Sequence, residues 1–98
     1  MIMDIHTIRQ GIDSVDDELR LLFLERLGLA EKIASEKAGL GLAICQPERE
    51  AALKERLLAE VDEKYLPYYS TFIDAVLDIS KAYQRDIIEN MEGQHDEL

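Results

Sequence analysis

The chain has 98 residues, a formal net charge of −10 and a sequence pI of about 4.5. This length suggests one domain over residues 1–98, and a hydrophobic content of 47% argues against global disorder. Nucleic acids and anionic membranes are not expected partners, because binding them requires clustered lysine and arginine. No apolar run approaches the roughly 18 residues that span a membrane. With one cysteine, Cys45, and no recognisable secretory signal, a cytoplasmic protein is expected.

The first predicted helix is unusually long, from about residue 4 to residue 38. At 1.5 Å per residue it would extend about 50 Å, whereas a globule of this size should be roughly 30 Å across. Because the other predicted helices are shorter, a second copy of the chain is the expected cover for its apolar stripe. The positions of this stripe recur at alternating steps of three and four: Ile5, Ile8, Ile12, Val15, Leu19, Leu22, Arg26, Leu29 and Ile33.

Arg26 is the exception in that stripe. A guanidinium stays charged at any ordinary pH, and burying it unpaired costs several kcal/mol. An anion is therefore expected to meet Arg26, either a carboxylate of the protein or a carboxylate of a ligand. Glu50 is the candidate within the chain for an internal ion pair.

A second helix is predicted from residue 47 to about residue 63. Gly39 is the predicted C-cap of the first helix, and Pro47 suits the first turn of the second, where its missing N–H is tolerated. Its predicted inward positions are Leu53, Leu57 and Val61.

A third helix is predicted from about residue 70 to residue 91, after a break at Pro67. Ser70 or Thr71 is the expected cap, and residues 92–98 are expected to form a frayed acidic tail. The sequence therefore predicts an all-α fold of three helices. The apolar stripe of the third helix contains Phe72, Ile73, Val76, Leu77, Tyr83, Ile87 and Ile88.

Two further cations of the first helix are candidate site residues. Lys37 follows Arg26 by eleven residues, which at about 100° per residue returns to nearly the same face. Arg9 precedes Arg26 by seventeen residues, or about 25 Å along the helix axis. One helix cannot direct Arg9 and Arg26 at the same small ligand, but in a dimer Arg9 could reach the site of the other chain.

Polar side chains on the other helices complete a candidate site. Glu50 and Arg49 lie near the start of the second helix, and Ser80 and Gln84 lie four apart on the third. Each has an ordinary structural explanation alone, as a surface charge or a helix-boundary residue. Together, these cations and neutral donors suit a small dianion such as a dicarboxylate, because arginine is favoured for carboxylate recognition.

No metal or cofactor is expected. His6 and His95 lack metal-ligand spacing, and Cys45 has no nearby histidine that would make it a nucleophile. The sequence also has no glycine-rich phosphate loop.

In this order and spacing, the polar residues resemble those of the all-helical (type II) chorismate mutases, over roughly residues 5 to 88. One departure is Gln46, which stands where some members of that family carry an acidic residue. The resemblance rests on five fragments: Ile8-Arg9-Gln10-Gly11-Ile12-Asp13, Leu24-Glu25-Arg26, Ile33-Ala34-Ser35-Glu36-Lys37, Pro47-Glu48-Arg49-Glu50 and Ser80-Lys81-Ala82-Tyr83-Gln84.

The resemblance implies an intertwined homodimer that binds chorismate and rearranges it to prephenate in aromatic amino acid biosynthesis. It implies that Arg26 and Arg9 of the partner subunit hold the two substrate carboxylates. Lys37 would bond a carboxylate and the ether oxygen, and Gln84 would donate to that oxygen from the other side. Lys37, Gln84 and Arg26 would thus be the catalytic residues.

The resemblance also implies that Glu50 binds the ring hydroxyl, while Arg49 and Ser80 complete the pocket. Two alternatives remain. Isochorismate-pyruvate lyases share this scaffold but tend to have apolar or aromatic residues in place of Glu50 and Ser80, which favours the mutase. A non-catalytic helical dimer would instead pair Arg26 with Glu50 and leave no open pocket.

Overall fold

The computed structural model describes the backbone of residues 4–96 and the side chains of residues 4–91. Over that range the fold is all-α, as the sequence predicts, and it contains no strand. The helices are α1 (Ile5–Leu40), α2 (Pro47–Leu58) and α3 (Leu66–Asp96), with a single 3-10 turn (Glu63–Tyr65) before α3. The backbone of residues 92–96 continues α3 past its predicted end at about residue 91. Residues 97 and 98 lie outside the described residues, as do the side chains of 92–96, and fraying of this tail stays a prediction.

Both ends of α1 have identifiable caps. The Asp4 carboxylate accepts a hydrogen bond from the Thr7 amide at 2.8 Å, which satisfies a free donor of the first turn. At the other end, Gly41 has a φ of 69° and its amide bonds the carbonyl oxygen of Ala38 at 3.3 Å. The prediction that Gly39 caps this helix is therefore wrong: Gly39 continues the helix, and Gly41 takes the left-handed conformation that glycine tolerates best.

The predicted boundaries of α2 and α3 also need correction. α2 ends at Leu58, and α3 begins at Leu66 instead of residue 70. Pro67 lies in the first turn of α3, where a proline is tolerated, and so does not break the helix. Thr71 lies inside α3 and donates to the Pro67 carbonyl at 3.0 Å, so it does not cap the helix.

The core is small and lies where α3 packs against the C-terminal half of α1 and against α2. Ala30 and Ala34 are buried on α1, and Ile73 and Leu77 are buried on α3. The two alanines let α1 approach α3 closely, since they add little side-chain bulk to the contact. Phe72 was predicted to be inward but is 48% exposed, because it lies about 100° around α3 from the buried Ile73.

The N-terminal half of α1 protrudes from this core. α1 has 36 residues, or about 54 Å, which confirms the predicted long helix, and every residue from Ile5 to Glu25 is exposed. The radius of gyration is 17.9 Å, compared with about 13 Å for a compact chain of this length. Over the described residues, the helices do not combine the length and apolarity needed to cross a membrane.

Candidate active site

A half-open cavity of about 540 Å³ lies where α1, α2, α3 and the loop between α1 and α2 meet. This volume is in the range of small-molecule sites, roughly 300 to 1,000 Å³. Apolar side chains form much of its wall, including Leu29 and Ile33 of α1 and Leu77 of α3. Six of the seven predicted site residues also line it: Arg26, Lys37, Arg49, Glu50, Ser80 and Gln84.

The Lys37 ammonium is held by two neutral acceptors. It donates to the Ile44 carbonyl at 2.8 Å and to the Gln84 Oε1 at 2.9 Å. An ammonium has three N–H donors, so one remains for a ligand. Among the described residues no carboxylate forms an ion pair with Lys37, and its charge is therefore not neutralised by the protein.

Gln84 is oriented by the lysine beside it. Because its Oε1 must face the Lys37 ammonium, its Nε2 points the other way and donates to the Ser80 hydroxyl oxygen at 3.2 Å. Gln84 and Ser80 are only 5% and 6% exposed, so this short chain of hydrogen bonds is fixed in place by packing. The amide nitrogen carries two hydrogens, and the second is not used by this bond.

Arg26 is half-buried and lines the cavity. Among the described residues it has no salt bridge. The alternative of an internal pair between Arg26 and Glu50 is therefore wrong. Glu50 binds other groups: its Oε1 lies 3.0 Å from the Lys81 Nζ, and its Oε2 accepts from the Cys45 thiol at 3.3 Å.

These contacts keep Glu50 ionised. The hydrogen bond from Lys81 holds the pKa of Glu50 below its ordinary value of 4.5, with smaller contributions from Cys45 and from the charge of Lys37, while partial burial opposes them. The same hydrogen bond raises the pKa of Lys81. At neutral pH the Glu50 side chain is thus a pure hydrogen-bond acceptor.

The lining of the cavity is positive, although the whole chain is strongly acidic. Four cations line it against two carboxylates, which leaves a local surplus of two positive charges. That surplus matches the charge of a small dianion. The cations are Arg26, Lys37, Arg49 and Lys81, and the carboxylates are Glu36 and Glu50.

Arg9 is the predicted site residue that the structure does not bring to this cavity. It is exposed on the protruding half of α1, about 25 Å along the axis from Arg26. Conversely, Lys81 and Glu36 line the cavity but were not among the predicted site residues. Lys81 precedes Gln84 by three residues and so shares its face of α3, a spacing that could have identified it.

The fold and site define a helical domain with a preorganised, cationic pocket. Residues 8–85 match the family model described as chorismate mutase type II. The chain therefore belongs to the type II chorismate mutase family. Among the described residues, no cluster of three or more histidine, cysteine, aspartate or glutamate side chains could hold a metal ion.

Two curated relatives agree with this assignment. A chorismate mutase from Methanocaldococcus jannaschii is 39% identical over 57 residues, which cover 58% of each chain. The T-protein of Haemophilus influenzae is 31% identical over 83 residues, which cover 85% of this chain but 21% of that protein. The match thus spans less than two thirds of either relative. No solved structure gives a significant match.

Proposed function

We propose that this chain is a chorismate mutase, which rearranges chorismate to prephenate in aromatic amino acid biosynthesis. One observation carries the proposal: Lys37 and Gln84 are bonded to each other in the cavity at 2.9 Å, and each has a further N–H for a ligand. The local surplus of two positive charges fits the two carboxylates of chorismate. The family membership and the name of the archaeal relative support the same activity.

The reaction is a unimolecular pericyclic step, so the task of the site is electrostatic and conformational. As the ether bond of chorismate breaks, negative charge builds on its oxygen. Lys37 and Gln84 donate to that oxygen from two sides. Because packing and hydrogen bonds fix both donors before the reaction, they stabilise the transition state more than the ground state.

The remaining residues bind and fold the substrate. Arg26 and Arg9 of the partner subunit hold the two carboxylates, and Arg49 and Ser80 complete the pocket. Holding the enolpyruvyl arm over the ring reduces the entropy lost on reaching the reactive shape. Glu50, held as a carboxylate, accepts a hydrogen bond from the ring hydroxyl.

We further propose an intertwined homodimer in which the α1 helices of two chains cover each other. The exposed apolar stripe on the protruding half of α1 supports this assembly, with Ile8 at 47%, Ile12 at 53% and Val15 at 55% exposure. The position of Arg9 supports it too, since in such a dimer the other chain can bring to each cavity the one predicted site residue that does not line it within its own chain. A reducing cytoplasm suits the exposed free thiol of Cys45.

The first test is an assay of the purified chain with chorismate, in which loss of substrate absorbance is followed and the product is identified by chromatography. We expect prephenate. Lys37→Ala should lower kcat by about 10²-fold or more, whereas Lys32→Ala, an exposed lysine on the same helix, should match the wild type.

Two results would contradict the proposal. Release of pyruvate from isochorismate, without turnover of chorismate, would assign the site to an isochorismate-pyruvate lyase. A folded chain that acts on neither substrate would favour a non-catalytic helical module.

A further inference from the structure

Lys81 connects two walls of the cavity. It extends from α3 to α2, where its Nζ lies 3.0 Å from the Glu50 Oε1. Both side chains are largely shielded, at 23% and 21% exposure. The second oxygen of Glu50 accepts from Cys45 at 3.3 Å, so both oxygens of this carboxylate are held while each keeps a further lone pair.

We propose that Lys81 is a positioning residue for Glu50 and thereby sets how the site recognises the hydroxyl of its substrate. This inference rests on the proposed function, in which Glu50 accepts the hydrogen bond from that hydroxyl. A glutamate side chain has three rotatable bonds, and a fixed cation limits which rotamers it populates. Lys81 thus fixes the direction of the acceptor, and its charge favours the ionised form that accepts but does not donate.

Direct binding of the substrate by Lys81 is the less suitable role. Its charge is already neutralised by Glu50 and, more weakly, by Asp78 at 3.7 Å. Lys37 differs in this respect, because its contacts are neutral oxygens. Lys37 therefore offers a dianion an unneutralised charge, whereas Lys81 acts through the carboxylate that it holds.

Lys81 could instead have a purely structural role and only hold α2 against α3. The same chain offers a matched control for that role. The Lys54 Nζ lies 2.7 Å from the Asp74 Oδ1, and this pair also joins α2 to α3. Neither of its residues lines the cavity. Lys54→Met therefore removes a comparable link between the helices without touching the site.

The experiment compares steady-state kinetics with chorismate for the wild type, Lys81→Met, Lys81→Arg and Lys54→Met, with folding checked by circular dichroism and thermal melting. For Lys81→Met we expect kcat/KM to fall by about tenfold or more, because a misdirected acceptor weakens binding and alignment. KM should rise while kcat changes little, since the hydroxyl contact is present in both the ground state and the transition state. Lys81→Arg should recover most of the loss, and Lys54→Met should leave both constants unchanged.

The pH profile gives a readout that a fastening role would not change. The charged or titratable groups facing Glu50 are Lys81 from α3, Lys37 from α1 and Cys45 from the loop. Removing Lys81 takes away the largest influence that lowers the pKa of Glu50, so that pKa rises. The acidic limb of kcat/KM should then move to higher pH in Lys81→Met and stay in place in Lys54→Met.

A double mutant decides whether Lys81 acts through Glu50. If it does, adding Lys81→Met to Glu50→Gln should change kcat/KM little further, because coupled residues are not additive. Full additivity would overturn the inference, as would unchanged kinetics in Lys81→Met or an equal loss in Lys54→Met. Absence of turnover in the wild-type chain would instead overturn the proposed function, and this inference with it.

Discussion

At the scale of single residues, the charged side chains that line the cavity differ in whether they form ion pairs. Lys81 and Glu50 neutralise each other at 3.0 Å, while Lys37 contacts neutral oxygens and Arg26 has no ion pair among the described residues. The site therefore keeps some of its cations for a ligand. Without a ligand, these cations lack ion pairs that would stabilise the protein. Such a loss of stability is common in binding sites.

Gln84→Ala should lower kcat by about 10²-fold, because a preorganised donor to the developing negative charge is lost. Ser80→Ala should have a smaller effect, since Ser80 accepts from Gln84 at 3.2 Å and Lys37 still fixes the amide. Stopped assays at saturating chorismate measure both. Equal kcat in Gln84→Ala and wild type would rule out this electrostatic role.

Arg26→Ala should abolish most substrate binding while leaving the melting temperature of the empty protein nearly unchanged, because no carboxylate of the described residues depends on Arg26. Calorimetric titration with a bicyclic dicarboxylate that mimics the transition state, together with thermal melting, measures both effects. Arg20→Ala is the control, because Arg20 forms an exposed pair with Asp17 at 3.3 Å. Unfolding of the Arg26 variant would indicate a structural ion pair instead.

At the scale of elements, the end of α1 depends on Gly41 and not on Gly39. Gly41→Ala should destabilise the fold by about 1 to 2 kcal/mol, the cost of the left-handed conformation for a residue with a Cβ. Gly39→Ala should be neutral or stabilising by up to about 1 kcal/mol, because alanine is the better helix former and nothing lies within 4 Å of the added methyl group. The urea concentration at the midpoint of unfolding should therefore fall in Gly41→Ala and stay the same or rise in Gly39→Ala.

The sequence predicted the helices well and their boundaries less well. The periodicity of α1 was sufficient because its positions keep the steps of three and four through Ile33, with Arg26 as the one charged member. The cap was misplaced because Gly39 and Gly41 carry the same local signal, and only the hydrogen bonds of the last turn distinguish them. Pro67 was misinterpreted as a break because a proline is equally suited to the first turn of a helix.

Six predicted site residues were found in the cavity because helical spacing determines which side chains share a face. The pairing of Glu50 with Lys81 could not be predicted in the same way. It depends on the packing of α2 against α3, and helical periodicity carries no information about the distance between two different helices. The sequence could place Lys81 on the same face of α3 as Gln84, but it could not show that Lys81 reaches Glu50.

At the scale of the whole molecule, the proposed dimer divides each site between two chains. Arg9→Ala and Arg26→Ala should each be nearly inactive alone. Mixed in equal amounts and allowed to exchange subunits, they should recover about a quarter of wild-type activity, since half of the dimers are then mixed and each mixed dimer has one intact site.

The control for that mixture is either variant with itself, which should stay inactive. If the two variants carry different affinity tags, their co-purification shows that mixed dimers have formed. Mixed dimers without activity would mean that Arg9 and Arg26 serve the site of the same chain. Ile12→Glu on the exposed stripe should dissociate the dimer, whereas Ser14→Glu, on another face of α1, should not.

The chain extends 66 Å along its longest axis because half of α1 protrudes. In the proposed dimer, this shape has a consequence for how the activity responds to dilution. A catalyst that is complete only as a pair obeys mass action in its own concentration. Well below the dissociation constant of the pair, the rate per volume rises with the square of the amount of protein, and above it the rate becomes proportional. A cell that halves its supply of such a chain in the dilute regime loses about three quarters of the flux through it.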